Sequence, residues 1–160
     1  MVTLLLPVAG NPRAAQAASD RVEDERRTPS NRPSLKILAV DDDSLVRETL
    51  CAMLEDMGHV VVQAESGKHA LVAFETPGKF DLLLTDFSMP GMTGAELAEA
   101  LRQLQPDLPI VVATGYAEAL SPSGPGITRL SKPFDQSALA SAIEAAVAWL
   151  SASRIKPSPA

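Results

Sequence analysis

The chain has 160 residues and a mass of 16.9 kDa, enough for one domain with a buried core and too short for two large ones. Apolar residues make up 46% and charged residues 21%, a globular composition, and no apolar run approaches the ~20 residues of a membrane span. The net charge of −6 disfavours nucleic-acid binding, and a single cysteine, Cys51, excludes a disulfide framework and a cysteine-based zinc site.

The acidic charge is concentrated in the middle of the chain. Residues 36–150 hold seven basic and sixteen acidic side chains, whereas residues 1–35 and 151–160 are weakly basic. Residues 1–34 are predicted to form a flexible segment, because most of it is rich in proline, alanine and charge without apolar periodicity. Residues 151–160 are predicted to form a flexible tail. The region between them, 35–150, is the predicted domain, and its carboxylates suggest that it binds a cation.

Short apolar runs alternate with helical patterns across this domain. The predicted strands are 35–40, 60–64, 81–85, 109–113 and 127–130, and the predicted helices are 44–57, 66–74, 93–104 and 135–150. Ser66 and Asp135 are expected to cap helices, Thr93 and Glu96 to form a capping box, and Gly58 to end the first helix.

Strands that alternate with helices predict an α/β fold, a three-layered (βα)5 unit with a parallel sheet covered on both faces. One helix departs from this pattern. Residues 117–126 contain two prolines and two glycines, so the fourth helix, between the fourth and fifth strands, is expected to be short or missing.

Polar side chains cluster where the predicted strands end, the edge at which open α/β sheets bind ligands. They are Asp41, Asp42 and Asp43 after the first strand, Asp86 after the third, Thr114 after the fourth, and Ser131 and Lys132 after the fifth. Several carboxylates in one crevice repel one another, and a hard cation such as Mg²⁺ removes that cost. A carboxylate beside the cation can attack a phosphoryl group and form an acyl phosphate. Lys132 and the Thr114 hydroxyl would then neutralise and hydrogen-bond the transferred oxygens.

Four motifs in this region resemble those of the receiver domains of two-component signalling. They are VDDDS (40–44), LLLTDFSMPGMTG (82–94), VVATGY (111–116) and LSKPF (130–134). The resemblance covers roughly residues 35–150, with the motifs in the family's order at the predicted strand ends. It implies a flavodoxin-like, doubly wound parallel sheet with the strand order 2-1-3-4-5.

The resemblance also implies a role for each matched residue. Asp86 is implied to be the phosphoacceptor, Thr114 the switch hydroxyl and Lys132 the contact to the phosphoryl oxygens. The peptide bond between Lys132 and Pro133 is implied to be cis.

The resemblance further implies that the cofactor is Mg²⁺. Asp42, Asp86 and the backbone carbonyl of Ser88 are implied to bind the ion directly, and Asp41 to act through a water on the metal. Asp43 lies where receivers vary and receives no role.

The sequence departs from the family at the aromatic switch position, three residues before Lys132, which is Arg129 here. A tyrosine, Tyr116, instead follows Thr114 by two residues. We hypothesise that Tyr116 and Ser88 flank the site and tune the access of hydrolytic water.

The implied function is that of a phosphorelay receiver, which takes a phosphoryl group from a phosphohistidine and then switches its partner interactions. Such a domain promotes its own phosphorylation and dephosphorylation without being a turnover enzyme. Residues 2–10 resemble the closing strand of a histidine-kinase ATP-binding domain, so the chain is interpreted as the carboxy-terminal receiver of a hybrid sensor kinase. The expected partners are a histidine kinase, a histidine phosphotransfer protein or the rest of a parent chain. The expected location is cytoplasmic, with no nucleic acid or membrane contact.

Other functions remain open at this point. The chain could be a stand-alone single-domain response regulator, or a degenerate receiver that serves only as a docking surface. A haloacid-dehalogenase-type phosphatase would use Asp41 or Asp43 as its nucleophile, but the acidic pair that it needs after Lys132 is missing. A flavodoxin-like electron carrier is disfavoured, because no phosphate-binding loop rich in glycine follows the first strand.

Overall fold

The computed structural model describes residues 32–115 and 124–155. The chain divides into two units, residues 1–32 and 33–160, and nearly all described residues belong to the second. The predicted flexible segment 1–34 therefore lies almost wholly outside the described residues. Tyr116 and most of the position of the fourth helix, 116–123, lie outside them as well.

The described residues form five strands and four helices, which alternate up to the fourth strand; the fifth strand is the next described element after it. The strands are β1 (Lys36–Val40), β2 (Val60–Ala64), β3 (Leu82–Asp86), β4 (Ile110–Thr114) and β5 (Ile127–Ser131). The helices are α1 (Ser44–Asp56), α2 (Gly67–Glu75), α3 (Gly94–Leu104) and α4 (Gln136–Ile155). All neighbouring strands pair in parallel in the order β2-β1-β3-β4-β5, which confirms the flavodoxin-like α/β fold.

Successive strand residues point to opposite sides of the sheet, so both faces carry apolar side chains. Helices cover both of these faces. On one side Ile37, Leu84 and Leu130 join a core cluster with residues of α1 and α4. On the other side Leu38 and Val112 join a second cluster with residues of α2 and α3. All residues of β3 and β4 are buried, so the centre of the sheet is a rigid support for the residues at its carboxyl edge.

Helix ends are fixed by side chains close to them in sequence. Ser66 caps α2, Thr93 and Glu96 form the capping box of α3, and the Asp135 carboxylate accepts a hydrogen bond from the backbone N–H of Ala138 at 2.8 Å. Gly58, two residues after the end of α1, has a φ of +87°, a conformation that favours glycine. These predictions are confirmed.

The last helix is longer than predicted. Helix α4 continues to Ile155, so the prediction of a flexible tail from residue 151 is wrong for residues 151–155. No helix breaker occurs before Pro157, which explains the extension. By length and composition α4 could cross a membrane, but its inward face packs in the core as expected of a core helix. The buried residues of that face are Leu139, Ala142, Ile143 and Ala146.

Candidate functional site

The candidate site lies at the carboxyl edge of the sheet, where β1, β3, β4 and β5 end. Asp86 and Thr114 are the last residues of β3 and β4, since both strands extend one residue beyond their predicted ends. Asp41 directly follows β1, and its backbone N–H donates to the Ala64 carbonyl at 3.3 Å. Lys132 directly follows β5, and its backbone N–H donates to the Thr114 carbonyl at 2.8 Å. The sheet therefore fixes the backbone of four predicted site residues.

Lys132 reaches both buried carboxylates of the site. Its ammonium nitrogen lies 2.7 Å from Oδ1 of Asp86 and 3.4 Å from Oδ2 of Asp41. Burial alone lowers the pKa of Lys132, but the hydrogen bond to Asp86 and the charges of both carboxylates outweigh it and raise that pKa. The lysine is therefore a fixed cation at the centre of the site.

Three carboxylates converge beside this lysine. One oxygen from each of Asp41, Asp42 and Asp86 lies within 4.8 Å of the other two. Asp41 is 3% exposed and Asp86 is 8% exposed, whereas Asp42 is open to solvent. Burial raises the pKa of Asp41, and the neighbouring charge of Asp86 adds to this rise. The backbone N–H of Asp43, 2.9 Å from Oδ1 of Asp41, and the charge of Lys132 oppose the rise.

The residues of this cluster fit a Mg²⁺ ion. Mg²⁺ takes oxygen ligands in octahedral geometry at about 2.1 Å, so its ligand oxygens lie roughly 3–4 Å from one another. The three carboxylate oxygens approach this spacing and are the hard ligands that the ion prefers. Their mutual repulsion is only partly offset by Lys132.

The loop after β3 is held tightly against the site. The Thr85 hydroxyl donates to the Asp86 carbonyl at 3.0 Å, and the backbone N–H of Gly94 donates to the Phe87 carbonyl at 2.9 Å. A Cβ atom at Gly94 would stand only 2.3 Å from the Asp86 carbonyl oxygen, so this close approach requires glycine. Ser88 is an exposed residue of this loop.

The comparisons with known proteins agree with this geometry. The family model of the response regulator receiver domain matches residues 37–144. This chain belongs to the response regulator receiver family. Its receiver domain is 38% identical over 113 residues to the response regulator receiver protein CpdR of Brucella abortus, covering 68% of this chain and 93% of CpdR.

Receivers of sensor kinases are also similar to this one. The sensor histidine kinase GacS of Pseudomonas protegens is 38% identical over 104 residues, which are 62% of this chain but only 11% of GacS. The crystal structure of the receiver domain of the hybrid histidine kinase CckA superposes with a TM-score of 0.59 and 31% identity, covering 70% of this chain and 98% of that one. The chain is thus a receiver of two-component phosphorelay signalling.

Two residues that support the site were not predicted. Asp43 of this receiver caps α1, because its carboxylate accepts from the N–H groups of Leu45 at 2.9 Å and Val46 at 3.3 Å. Its position directly before Ser44 is a capping signal that could have assigned it. Arg47 donates from Nη1 to the Asp41 carbonyl at 2.8 Å, and nothing in the sequence pattern points to this contact.

The remaining predicted features have different outcomes. The peptide bond between Lys132 and Pro133 is cis, as the resemblance implied. Arg129 is exposed on β5, with Val112 of β4 as its register partner. The hypothesis that Tyr116 and Ser88 tune water access stays a prediction, because Tyr116 lies outside the described residues.

Proposed function

We propose that this receiver accepts a phosphoryl group from a phosphohistidine onto the carboxylate of Asp86. The observation that supports this role best is the 2.7 Å contact between Lys132 Nζ and Asp86 Oδ1, beside the two further carboxylates of Asp41 and Asp42. A carboxylate that is buried, oriented by a lysine and placed at a ligand-binding edge is suited to nucleophilic attack on phosphorus.

In the proposed step, an Asp86 oxygen bonds to phosphorus while the bond between phosphorus and the imidazole nitrogen breaks. The imidazole leaves as a neutral ring after taking up a proton, and Asp86 becomes an acyl phosphate. Lys132 neutralises charge on the transferred oxygens, and the buried Thr114 hydroxyl donates a hydrogen bond to one of them. Asp42, Asp86 and the Ser88 carbonyl would hold Mg²⁺, with Asp41 acting through a water, and the ion would supply a Lewis acid for the same oxygens.

An apolar groove next to the acceptor supports docking of a phosphohistidine protein, either a histidine kinase or a histidine phosphotransfer protein. The groove is lined by Leu45, Val46, Thr49, Leu50, Met53, Lys132, Pro133 and Phe134. Lys132 belongs to both the groove and the ion pair with Asp86, so a partner in the groove would stand beside the acceptor. Leu45 of α1 is an apolar residue that is 74% exposed there.

We further propose that residues 35–150 act as the receiver domain and that residues 1–34 link it to a histidine kinase of which it is the carboxy-terminal receiver. The similarity to GacS and to the CckA receiver supports this origin. A stand-alone regulator is the second candidate, favoured by the 93% coverage of CpdR. We propose a cytoplasmic location in either case, where ATP is available as the source of the phosphoryl group on the histidine.

The phosphatase alternative has less support. It would need Asp41 or Asp43 as the nucleophile, but the Asp43 carboxylate is engaged in capping α1. With Asp41 as the nucleophile, the chain would still lack the acidic pair that such an enzyme needs after Lys132.

Intact mass after incubation with acetyl phosphate and Mg²⁺ tests the proposed function. We expect the wild type to gain one phosphoryl group, and Asp86→Asn, or the wild type without Mg²⁺, to gain none. A gain in Asp86→Asn would assign the acceptor to another residue, and no gain in the wild type would contradict the proposed chemistry.

A further inference from the structure

A second groove lies at the amino edge of the sheet, at the opposite end of the strands from Asp86. Three segments form it: the connection from α2 to β3, the connection from α3 to β4, and the last turns of α4. Its volume is about 400 Å³, within the range of protein binding sites. Its apolar lining consists of Phe74, Phe80, Leu104, Pro106, Pro109 and Leu150. We call this feature the amino-edge groove.

The face that holds the groove also carries a projecting apolar surface. Residues 151–155 continue α4 past Leu150 and are all exposed, and Ile155 at their end is 79% exposed. Its neighbour Arg154 lines the groove, and Leu104, on the side of α3, is 63% exposed there. One face of the domain therefore combines a ridge that has an apolar tip with an apolar groove beside it.

Charged side chains of both signs surround the groove. Its cations are Lys79 and Arg154, and its anions are Asp81 and Asp107. The Asp81 carboxylate accepts a hydrogen bond from the Lys36 backbone N–H at 2.8 Å. The other three side chains are exposed and form no ion pair or hydrogen bond within the described part of the chain. Since the two signs are balanced, this face complements a copy of itself better than a surface of a single charge sign.

We infer that this face binds a second copy of the chain in a twofold symmetric dimer. The last turn of α4 in each copy enters the amino-edge groove of the other, so the same contact is made twice. Arg154 of one copy meets Asp107 of the other, and Ile155 is buried against the apolar lining. The inference concerns a surface outside the candidate site and does not depend on the proposed function.

A dimer of this kind leaves both candidate sites open. Asp81 and Asp86 stand at opposite ends of β3, roughly 16 Å apart at about 3.3 Å per residue. The amino-edge groove shares no residue with the groove around Leu45 and Lys132. Each copy in the dimer can therefore meet its own phosphohistidine protein.

Sedimentation equilibrium of the full chain, without a phosphodonor, tests the inference. We expect the average mass to rise from 16.9 kDa toward twice that value as the chain concentration increases. The concentrations should span about 1 μM to 1 mM, which covers dissociation constants from tight to weak. Circular dichroism and the phosphoryl gain from acetyl phosphate confirm that each variant below is folded with an intact candidate site.

Charge reversal separates this interface from other surfaces. Arg154→Glu and Asp107→Arg should each raise the dissociation constant of the dimer by about tenfold or more, because like charges then face each other. The double variant with both substitutions should return to within about threefold of the wild type, since the pair is restored with its signs exchanged. Lys68→Glu makes the same change of charge on the exposed surface of α2, outside the groove, and should dimerise as the wild type.

The apolar ridge is tested in the same way. Ile155→Asp should raise the dissociation constant by about tenfold or more, because a charged group would have to enter an apolar groove. Val72→Asp is the matched control, since Val72 is 63% exposed and does not line the groove.

Three outcomes overturn the inference. A wild type that stays monomeric at every concentration assigns the groove to a different protein. A dimer that persists unchanged in Arg154→Glu and Ile155→Asp is formed by another face. A double charge reversal that stays as weak as the single variants shows that Arg154 and Asp107 do not meet. The phosphoryl gain from acetyl phosphate is independent of all three, so the proposed function stands or fails separately.

Discussion

The ammonium group of Lys132 lies 2.7 Å from Oδ1 of Asp86, although β4 separates the two strands that hold these residues. The lysine side chain spans this strand and also reaches Asp41 at 3.4 Å. Each carboxylate is buried, so the same cation stabilises two charges that water solvates poorly. The charge balance of the site therefore depends on Lys132.

Replacing Lys132 with methionine should slow phosphorylation by acetyl phosphate about a hundredfold, as does the loss of one oriented donor in other active sites. The reason is that the transferred oxygens lose the cation that neutralises them. Time courses of intact mass measure the rate. Lys68→Met, on the exposed surface of α2, is the control and should react as the wild type. Equal rates in the two variants would contradict the role of Lys132.

Magnesium should raise the melting temperature of the chain, because a ligand that binds only the folded state stabilises that state. At a hundredfold excess over Kd, the free energy of unfolding rises by about 2.7 kcal/mol. Asp42→Asn should abolish this rise by removing the exposed carboxylate of the cluster. Differential scanning calorimetry with and without EDTA measures the effect. Asp43→Asn is the matched control, because asparagine caps helices as well as aspartate and Asp43 lies outside the cluster. Loss of the magnesium effect in both variants would refute the assignment of the ligands.

Gly94→Ala should destabilise the fold by about 1–3 kcal/mol, the usual cost of forcing an atom into closely packed surroundings. The new Cβ would meet the Asp86 carbonyl oxygen at 2.3 Å and push α3 away from the site. Urea denaturation measures the free energy of unfolding. Gly124→Ala serves for comparison, since a Cβ there meets no atom within 4 Å. Similar stabilities of the two variants would show that the loop yields without cost.

Cys51 should react slowly with thiol reagents in the folded chain. Burial, followed by the nearby charge of Glu55, raises the pKa of this thiol, so the folded state favours its neutral form. The stabilising effect is complete below the pKa of the unfolded thiol, about 8.5, and is lost as the pH rises through the higher folded pKa. Urea titrations from pH 7 to pH 10 should therefore show the wild type losing stability relative to Cys51→Ala. Parallel pH curves for the two proteins would contradict the shift.

Leu45→Asp should lower transfer from an autophosphorylated histidine kinase at least tenfold and leave phosphorylation by acetyl phosphate unchanged. In the proposed docking, only the protein donor contacts the apolar groove beside Lys132, whose lining includes Leu45. Val72→Asp is matched to it, because Val72 is a 63% exposed apolar residue outside the groove. Transfer is measured with radiolabelled phosphate. An equal loss with both donors would indicate damage to the acceptor instead of to docking.

The order of strands and helices could be predicted because local patterns encode it. The capping box of Thr93 and Glu96 and the turn at Gly58 each depend on neighbouring residues only. The polar residues at the strand ends predicted one site, since parallel strands bring their carboxyl ends to one edge. The predicted end of α4 was wrong, because serine and alanine after Leu150 permit a helix as readily as a flexible tail.

Contacts between distant residues could not be predicted in this way. One such contact is the hydrogen bond from Arg47 to the Asp41 carbonyl. Another is the cation–π contact between Arg102 and Trp149, which depends on how two separate helices pack. The strand order itself came from the family resemblance, because spacing alone does not specify which strands are neighbours.

Asp43 joins the start of α1 to the candidate site, since its side chain caps the helix while its backbone N–H donates to Asp41. Fraying of the first helical turn would therefore release a carboxylate of the cluster at the same moment. Slow amide exchange at Asp43 would then report the lifetime of the whole site, and a cation that orders Asp41 would lengthen it. In a receiver of this kind, the position of the Asp41 carboxylate depends on whether the first turn of α1 is formed.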